Sequence, residues 1–141
     1  MDNLYSLGFL VGRASFALSK ALNASIVENN IDLPHSQYVV LRFLYHRDGL
    51  SQFELSNLLS KNAAVIKRTI DELEKKNLVV RKPVRTLKNS ICITEKGRNL
   101  MPQVLKIADS VIEKALHGIE KENQDLLQMM LDKIYSNLEE T

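Results

Sequence analysis

Residues 62–77 read NAAVIKRTIDELEKKN, and the spacing of their apolar members decides the fold. Ile66, Ile70 and Leu73 fall at i, i+4 and i+7, which gathers them on one face of a helix. At ~3.6 residues per turn, Ala64, Val65 and Arg68 project on or near the side away from that seam, with Lys67 on its flank. Such a helix spans ~24 Å, and its small, basic front end matches a DNA major groove ~12 Å wide. The expected role of the stretch is that of a recognition helix. Asn62 suits its N-cap, and Asn77 the left-handed position where helices often end.

Working outward, Ser51-Gln52-Phe53-Glu54 has the form of a capping box, so a short helix starts at Gln52. Leu55, Leu58 and Leu59 are expected inward, and the helix stops near Ser60. Only Lys61 and Asn62 then precede the next apolar seam. Two helices joined by so tight a turn, the second basic at its front, make a helix-turn-helix. Downstream, 78–82 and 90–94 read as strands, with Ile91 and Ile93 inward. The residues between, 83–89, hold Arg85 and Lys88 and form the basic loop of a hairpin, a wing.

Longer helices flank this unit. From Leu4, apolar or small residues recur in steps of three and four to about Asn29. Pro34 suits the first turn of a second helix ending near His46, with Tyr38, Leu41, Leu44 and Tyr45 as its buried stripe and Asp48-Gly49 as its turn. Thr94 and Glu95 suit the start of a fifth helix that reaches His117-Gly118, with Pro102 expected to kink it or delay its regular part. A sixth runs from about Glu120 to Leu138. The first, fifth and sixth helices carry more apolar surface than a helix-turn-helix core of ~60 residues covers. A second copy would cover it, with Leu4, Leu7, Val11, Leu127, Met130, Leu131, Ile134 and Leu138 at the interface. The expected fold is mainly α (α+β): a winged helix-turn-helix over 33–98, and long N- and C-terminal dimerisation helices over 1–32 and 99–141, intertwined in one domain.

Composition agrees with one globular domain: 141 residues, 45% hydrophobic and 26% charged. The net charge of +2 conceals an asymmetry, because residues 61–98 hold eleven Lys/Arg against four Asp/Glu and the remainder eight against thirteen. A local excess of +7 points to an anionic partner, and to nucleic acid over membrane, since no basic helix with an aromatic face accompanies it. The lone Cys92 excludes an intrachain disulfide and suits a reducing cytoplasm. Asp2 and Arg13 argue against a signal peptide, and no uninterrupted apolar run is long enough to span a membrane.

The run Gln37-Tyr38-Val39-Val40-Leu41-Arg42, then GLSQFELSNLL, VIKRTIDELEKKNLVVR and ITEKGR, resembles the MarR family of winged helix-turn-helix repressors in motif and spacing over nearly the whole chain. The resemblance implies a homodimer on pseudo-palindromic double-stranded DNA. It further implies release by a small phenolic or other aromatic ligand bound between the dimerisation and DNA-binding parts, or by cysteine oxidation. Members commonly carry Asp-x-Arg in the wing, where this chain has Arg85-Thr86-Leu87, so the acidic brace is absent. Asn77 replaces the usual glycine, and Pro102 is atypical.

The expected DNA-binding residues are Lys61, Asn62, Ala64, Val65, Lys67, Arg68, Arg85 and Lys88. Arg68 suits a phosphate or guanine, Val65 a thymine methyl or a half-buried helix start, and Lys67 and Lys61 phosphate. Asn62 is a cap first and a phosphate contact second. Cys92 reads as a small strand residue rather than a redox sensor, because redox-responsive relatives place that cysteine in the first helix. His35, His46 and His117 are dispersed, so neither a metal nor a cofactor is expected. Tyr38, Phe43, Tyr45 and Met129-Met130 read as core rather than a ligand box, and no ligand-binding residue is singled out. No nucleophile–base pair, phosphate loop or carboxylate dyad suggests an enzyme. The reading is a homodimeric, sequence-specific transcriptional regulator, a repressor relieved by a small ligand. Its rivals are a winged-helix protein-interaction module and a sequence-indifferent architectural DNA binder.

Overall fold

The computed structural model describes residues 6–85 and 88–139, and the side chains of Arg85 and Lys88 lie outside the described set. Among the described residues, six helices and one antiparallel hairpin follow in the order α1 (Leu7–Glu28), α2 (His35–His46), α3 (Gln52–Leu59), α4 (Ala63–Lys75), β1 (Val79–Arg85), β2 (Lys88–Ile93), α5 (Glu95–Ala115) and α6 (Lys121–Glu139). The fold is a mainly α winged helix.

Local chemistry sets most boundaries. Ser6 caps α1, accepting from the Phe9 amide at 3.4 Å, and Pro34 stands at the N-cap of α2. The capping box forms in full at α3: Ser51 Oγ accepts from the Glu54 amide at 3.0 Å, and Glu54 Oε1 accepts from the Ser51 amide at 3.2 Å. Ser60, at φ 51°, ends that helix in the left-handed region, and Asn77, at φ 62°, does so after α4. Thr94 caps α5 through the Gly97 amide at 3.1 Å.

One core joins these elements, α6 excepted. Ile26 of α1, Leu41 and Leu44 of α2, Leu55 of α3, Ile66, Ile70 and Leu73 of α4, Ile91 of β2, and Met101 and Val104 of α5 are all buried. Asp48 ties the base of the hairpin to this core, accepting from the Ile93 amide at 2.8 Å and pairing with Arg98 at 3.2 Å. The turn also pairs with the hairpin, since the Ile91 amide donates to the Leu50 carbonyl at 2.8 Å. Gly97 lies where α5 crosses the hairpin. A Cβ there would meet the Leu78 carbonyl at 2.5 Å and Ile93 Cγ1 at 2.7 Å.

Several expectations need correction. Leu58 is 40% exposed, because on an eight-residue helix the face that reaches the core carries Leu55 and Leu59. The strands, 79–85 and 88–93, lie nearer the hairpin tip than the expected 78–82 and 90–94, so Arg85 and Lys88 belong to them rather than to a loop, and Pro83 lies within β1 and pairs with Asn89. The register slips between Pro83 and Arg85, where the missing N–H of proline removes a ladder donor. α5 is continuous through Pro102, which sits on the exposed face where water can satisfy the carbonyl left free. Met129 and Met130 are not core but 69% and 49% exposed, because α6 buries none of its residues.

Candidate nucleic-acid interface

The short turn after α3 leads directly into α4, which packs one face against the core. Asn62 Oδ1 accepts from the Val65 amide at 2.9 Å, satisfying one donor at the front of the helix. Gln52 of α3 donates to the Ala63 carbonyl at 3.3 Å and fixes the same end from outside. Ile66, Thr69, Ile70 and Leu73 face inward, and Thr69 Oγ1 bonds back to the Val65 carbonyl at 3.0 Å. Buried anchors on one side leave Ala64, Lys67 and Arg68 exposed on the other, with Val65 half-buried between them. Arg68 has no hydrogen bond or ion pair among the described residues. Lys61 is exposed in the turn.

Lys67 is tethered. Its Nζ pairs with Asp71 at 3.0 Å, one helical turn on. Asp71 also accepts from Arg81 of β1 at 2.7 Å, and the same guanidinium reaches Glu74 at 2.7 Å. Lys67 first and Arg81 second hold the Asp71 carboxyl below its ordinary value, so it stays ionised between two cations. Strand pleating explains why Arg81 is there. Val79 and Arg81 share a face opposite Ile93 and Ile91, so this arginine points inward from the hairpin and requires acidic partners on α4. Reading the sequence alone missed this clamp. Its available signal was carboxylates three apart on a helix, followed after a tight turn by an alternating strand with an arginine on its inner face.

The wing residues Arg85 and Lys88 pair at the hairpin end, whereas Thr86 and Leu87 lie outside the described residues. Cys92 is half-buried opposite Val80, with its Sγ 3.7 Å from Ser90 Oγ. Among the described residues no group of His, Cys, Asp and Glu is placed to hold a metal ion, and no helix is long and apolar enough to cross a membrane.

A second feature lies behind the recognition unit. α1, α2, α5 and α6 enclose an open cleft of about 640 Å³. Leu10, Leu18, Leu105 and Leu131 give it apolar walls, and His35, Arg42 and Asp109 bring charge or polarity to its edge. Ser19 Oγ lies 3.4 Å from His35 Nε2, and Arg42 donates to Tyr38 Oη at 3.3 Å. Burial, and then the charge of Lys61, hold His35 below its ordinary imidazole value. The expected interface residues Leu7, Val11, Leu127, Met130, Leu131 and Leu138 are 51%, 41%, 37%, 49%, 43% and 71% exposed, and Ile134 is half-buried. Leu4 lies outside the described residues.

Comparison with known proteins agrees with this architecture. The family model described as the MarR family matches residues 31–86, which begin just before α2 and take in the helix-turn-helix and β1. The HTH-type transcriptional regulator YybA of Bacillus subtilis is 24% identical over 131 residues, covering 92% of this chain and 86% of YybA. A MarR family regulator from Listeria monocytogenes, solved in complex with a 26mer DNA, superposes with a TM-score of 0.86 at 24% identity, covering 94% of this chain and 89% of its own. CouR from Rhodococcus jostii, solved bound to p-coumaroyl-CoA, superposes with a TM-score of 0.83 at 25% identity, covering 92% and 91%. The chain is thus similar to MarR-family winged helix-turn-helix proteins, through the family model over residues 31–86 and through the fold over nearly its whole length.

Proposed function

We propose that this chain is a transcriptional regulator of the MarR family, a homodimer that binds a pseudo-palindromic operator in double-stranded DNA and acts as a repressor released by a small ligand. One observation carries the reading: α4 buries one face completely while Ala64, Lys67 and Arg68 stand exposed on the other, within the segment that concentrates the positive charge. In this reading Arg68 and Val65 face base edges. Lys61, Asn62 and Lys67 meet phosphates, and Arg85 and Lys88 extend the contact from the wing. Residues 33–98 form the DNA-binding region, while 1–32 and 99–141 form the dimerisation region. The exposed apolar stripe on α1 and α6 supports the dimer, because monomers rarely leave so contiguous a surface in water.

The cleft supports release by ligand. Its apolar walls and the Arg42 edge suit a small aromatic molecule carrying an acidic group. The bound p-coumaroyl-CoA of CouR shows that a relative of this fold accommodates a phenolic acyl group. A ligand favouring a different spacing of the two heads shifts the population away from DNA.

Selection of bound fragments from random duplexes tests the reading. The expected product is a two-fold motif with half-sites about one turn apart. Recovery without sequence preference would favour an architectural binder. A nearly flat salt dependence would favour a protein-interaction module.

A further inference from the structure

The first turn of α2 has two sides with different partners. His35, Tyr38, Val39 and Arg42 line the cleft. Gln37 lies ~200° around the helix from both His35 and Val39. It points at α4 instead and is 4% exposed. Its amide nitrogen donates to Glu72 Oε2 at 2.8 Å, and its amide oxygen accepts from Lys76 Nζ at 2.6 Å. A carboxylate only accepts and an ammonium only donates, so these partners admit one orientation of the amide. Lys76 continues to the α1–α2 connection, donating to the Asp32 carbonyl at 2.9 Å and pairing with its carboxylate at 3.2 Å.

We infer, building on the ligand-released reading above, that Gln37 is the positioning residue through which occupancy of the cleft reaches the recognition helix. The physical reason is directionality. Apolar packing around Ile70 and Leu73 tolerates sliding, whereas a buried amide held at both ends resists separation from its partners. Displacing His35 moves the first turn of α2, and Gln37 carries Glu72 and Lys76 with it. Ala64 stands ~18 Å along the helix axis from Lys76. A tilt about the buried Ile70 therefore moves the groove-facing end the opposite way.

The test needs no identified inducer. Ser19→Phe places a phenyl ring against His35 and stands in for an occupant. In the otherwise wild-type chain it is expected to alter amide exchange over residues 72–78. It is also expected to lower affinity by about tenfold for a duplex that the wild-type protein selects from random DNA. With Gln37→Met, or with Lys76→Met as an independent break of the same link, the wedge should change affinity by no more than about twofold. Thermal melting confirms that each variant folds, and Ser19→Leu replaces the wedge if the phenyl prevents folding. Equal responses with and without Gln37, or no response to the wedge in the wild-type background, overturn the inference. Failure to select any duplex would instead overturn the DNA-binding reading, and the exchange comparison would still judge Gln37.

Discussion

Arg68 is the residue at which the proposed function separates most cleanly from stability. It is exposed on the far side of a helix whose inner face is full, so little folding energy depends on it. Arg68→Ala is expected to cost ~1–3 kcal/mol in specific DNA binding while shifting stability by no more than ~0.5 kcal/mol. Competition binding alongside thermal melting checks this, and unchanged operator affinity refutes the assignment. Gly97 is the opposite case. A methyl group there meets the Leu78 carbonyl and Ile93, so Gly97→Ala should destabilise the fold by ~1–3 kcal/mol in urea unfolding. His35 contributes through pH. Its folded value lies below the ordinary 6.5, so between the two the unfolded chain binds more protons. Stability is therefore fully present above 6.5 and falls as pH drops through it. Replacing His35 with Gln should flatten the melting temperature across that interval, and an unaltered slope would show that another group titrates.

Among the elements, the joint between α4 and the hairpin organises the surface proposed to face DNA. Arg81 spans Asp71 and Glu74 at 2.7 Å each, and Asp71 also holds Lys67. This chain lacks an Asp-x-Arg brace within its wing, and the hairpin is instead tied at its base by a guanidinium directed at α4. Arg81→Lys should not restore the joint, because one ammonium cannot match the forked geometry that reaches two carboxylates. The expected result is faster amide exchange across 79–82 and weaker DNA binding, with the hairpin still paired to itself. Wild-type exchange in the lysine variant would count against this account. Asp71 sits below its ordinary carboxylate value in the fold, so the joint's contribution is present above that value and is lost as pH falls past it.

The whole molecule is dominated by what one chain leaves uncovered. α6 buries no residue, and Leu127, Leu131 and Leu138 stand at least partly in water alongside Leu7 and Val11 of α1. Leu131→Glu is therefore expected to leave the single chain folded but to abolish the dimer in sedimentation, and with it cooperative operator binding. A wild-type chain that sediments as a stable monomer at micromolar concentration would sink the dimer. Ionic strength provides a second reading at this scale. Each phosphate neutralised contributes about −0.9 to the slope of log affinity against log salt, so two basic heads should give a steep dependence.

Periodicity and caps made the helix-turn-helix legible without coordinates. Ile66, Ile70 and Leu73 had to share a face, Ser51 with Glu54 and Asn62 had to start helices, and Asn77 had to end one, because each is a local constraint acting within a few residues. The strand lengths and Leu58 were misread because pairing partners and the direction of the core are not local properties. Gln37, Arg81 and Gly97 escaped notice for the same reason: their partners lie 35, seven and 19 residues away, where the chain shows no repeating pattern. Local rules alone fixed which face of α4 stays exposed and where its charge lies, since a helix presents its side chains in a fixed rotation. Only the tertiary structure decided that this helix is held from behind by a buried amide and from the side by an arginine, because such directional bonds exist only once separate elements have been brought within ~3 Å.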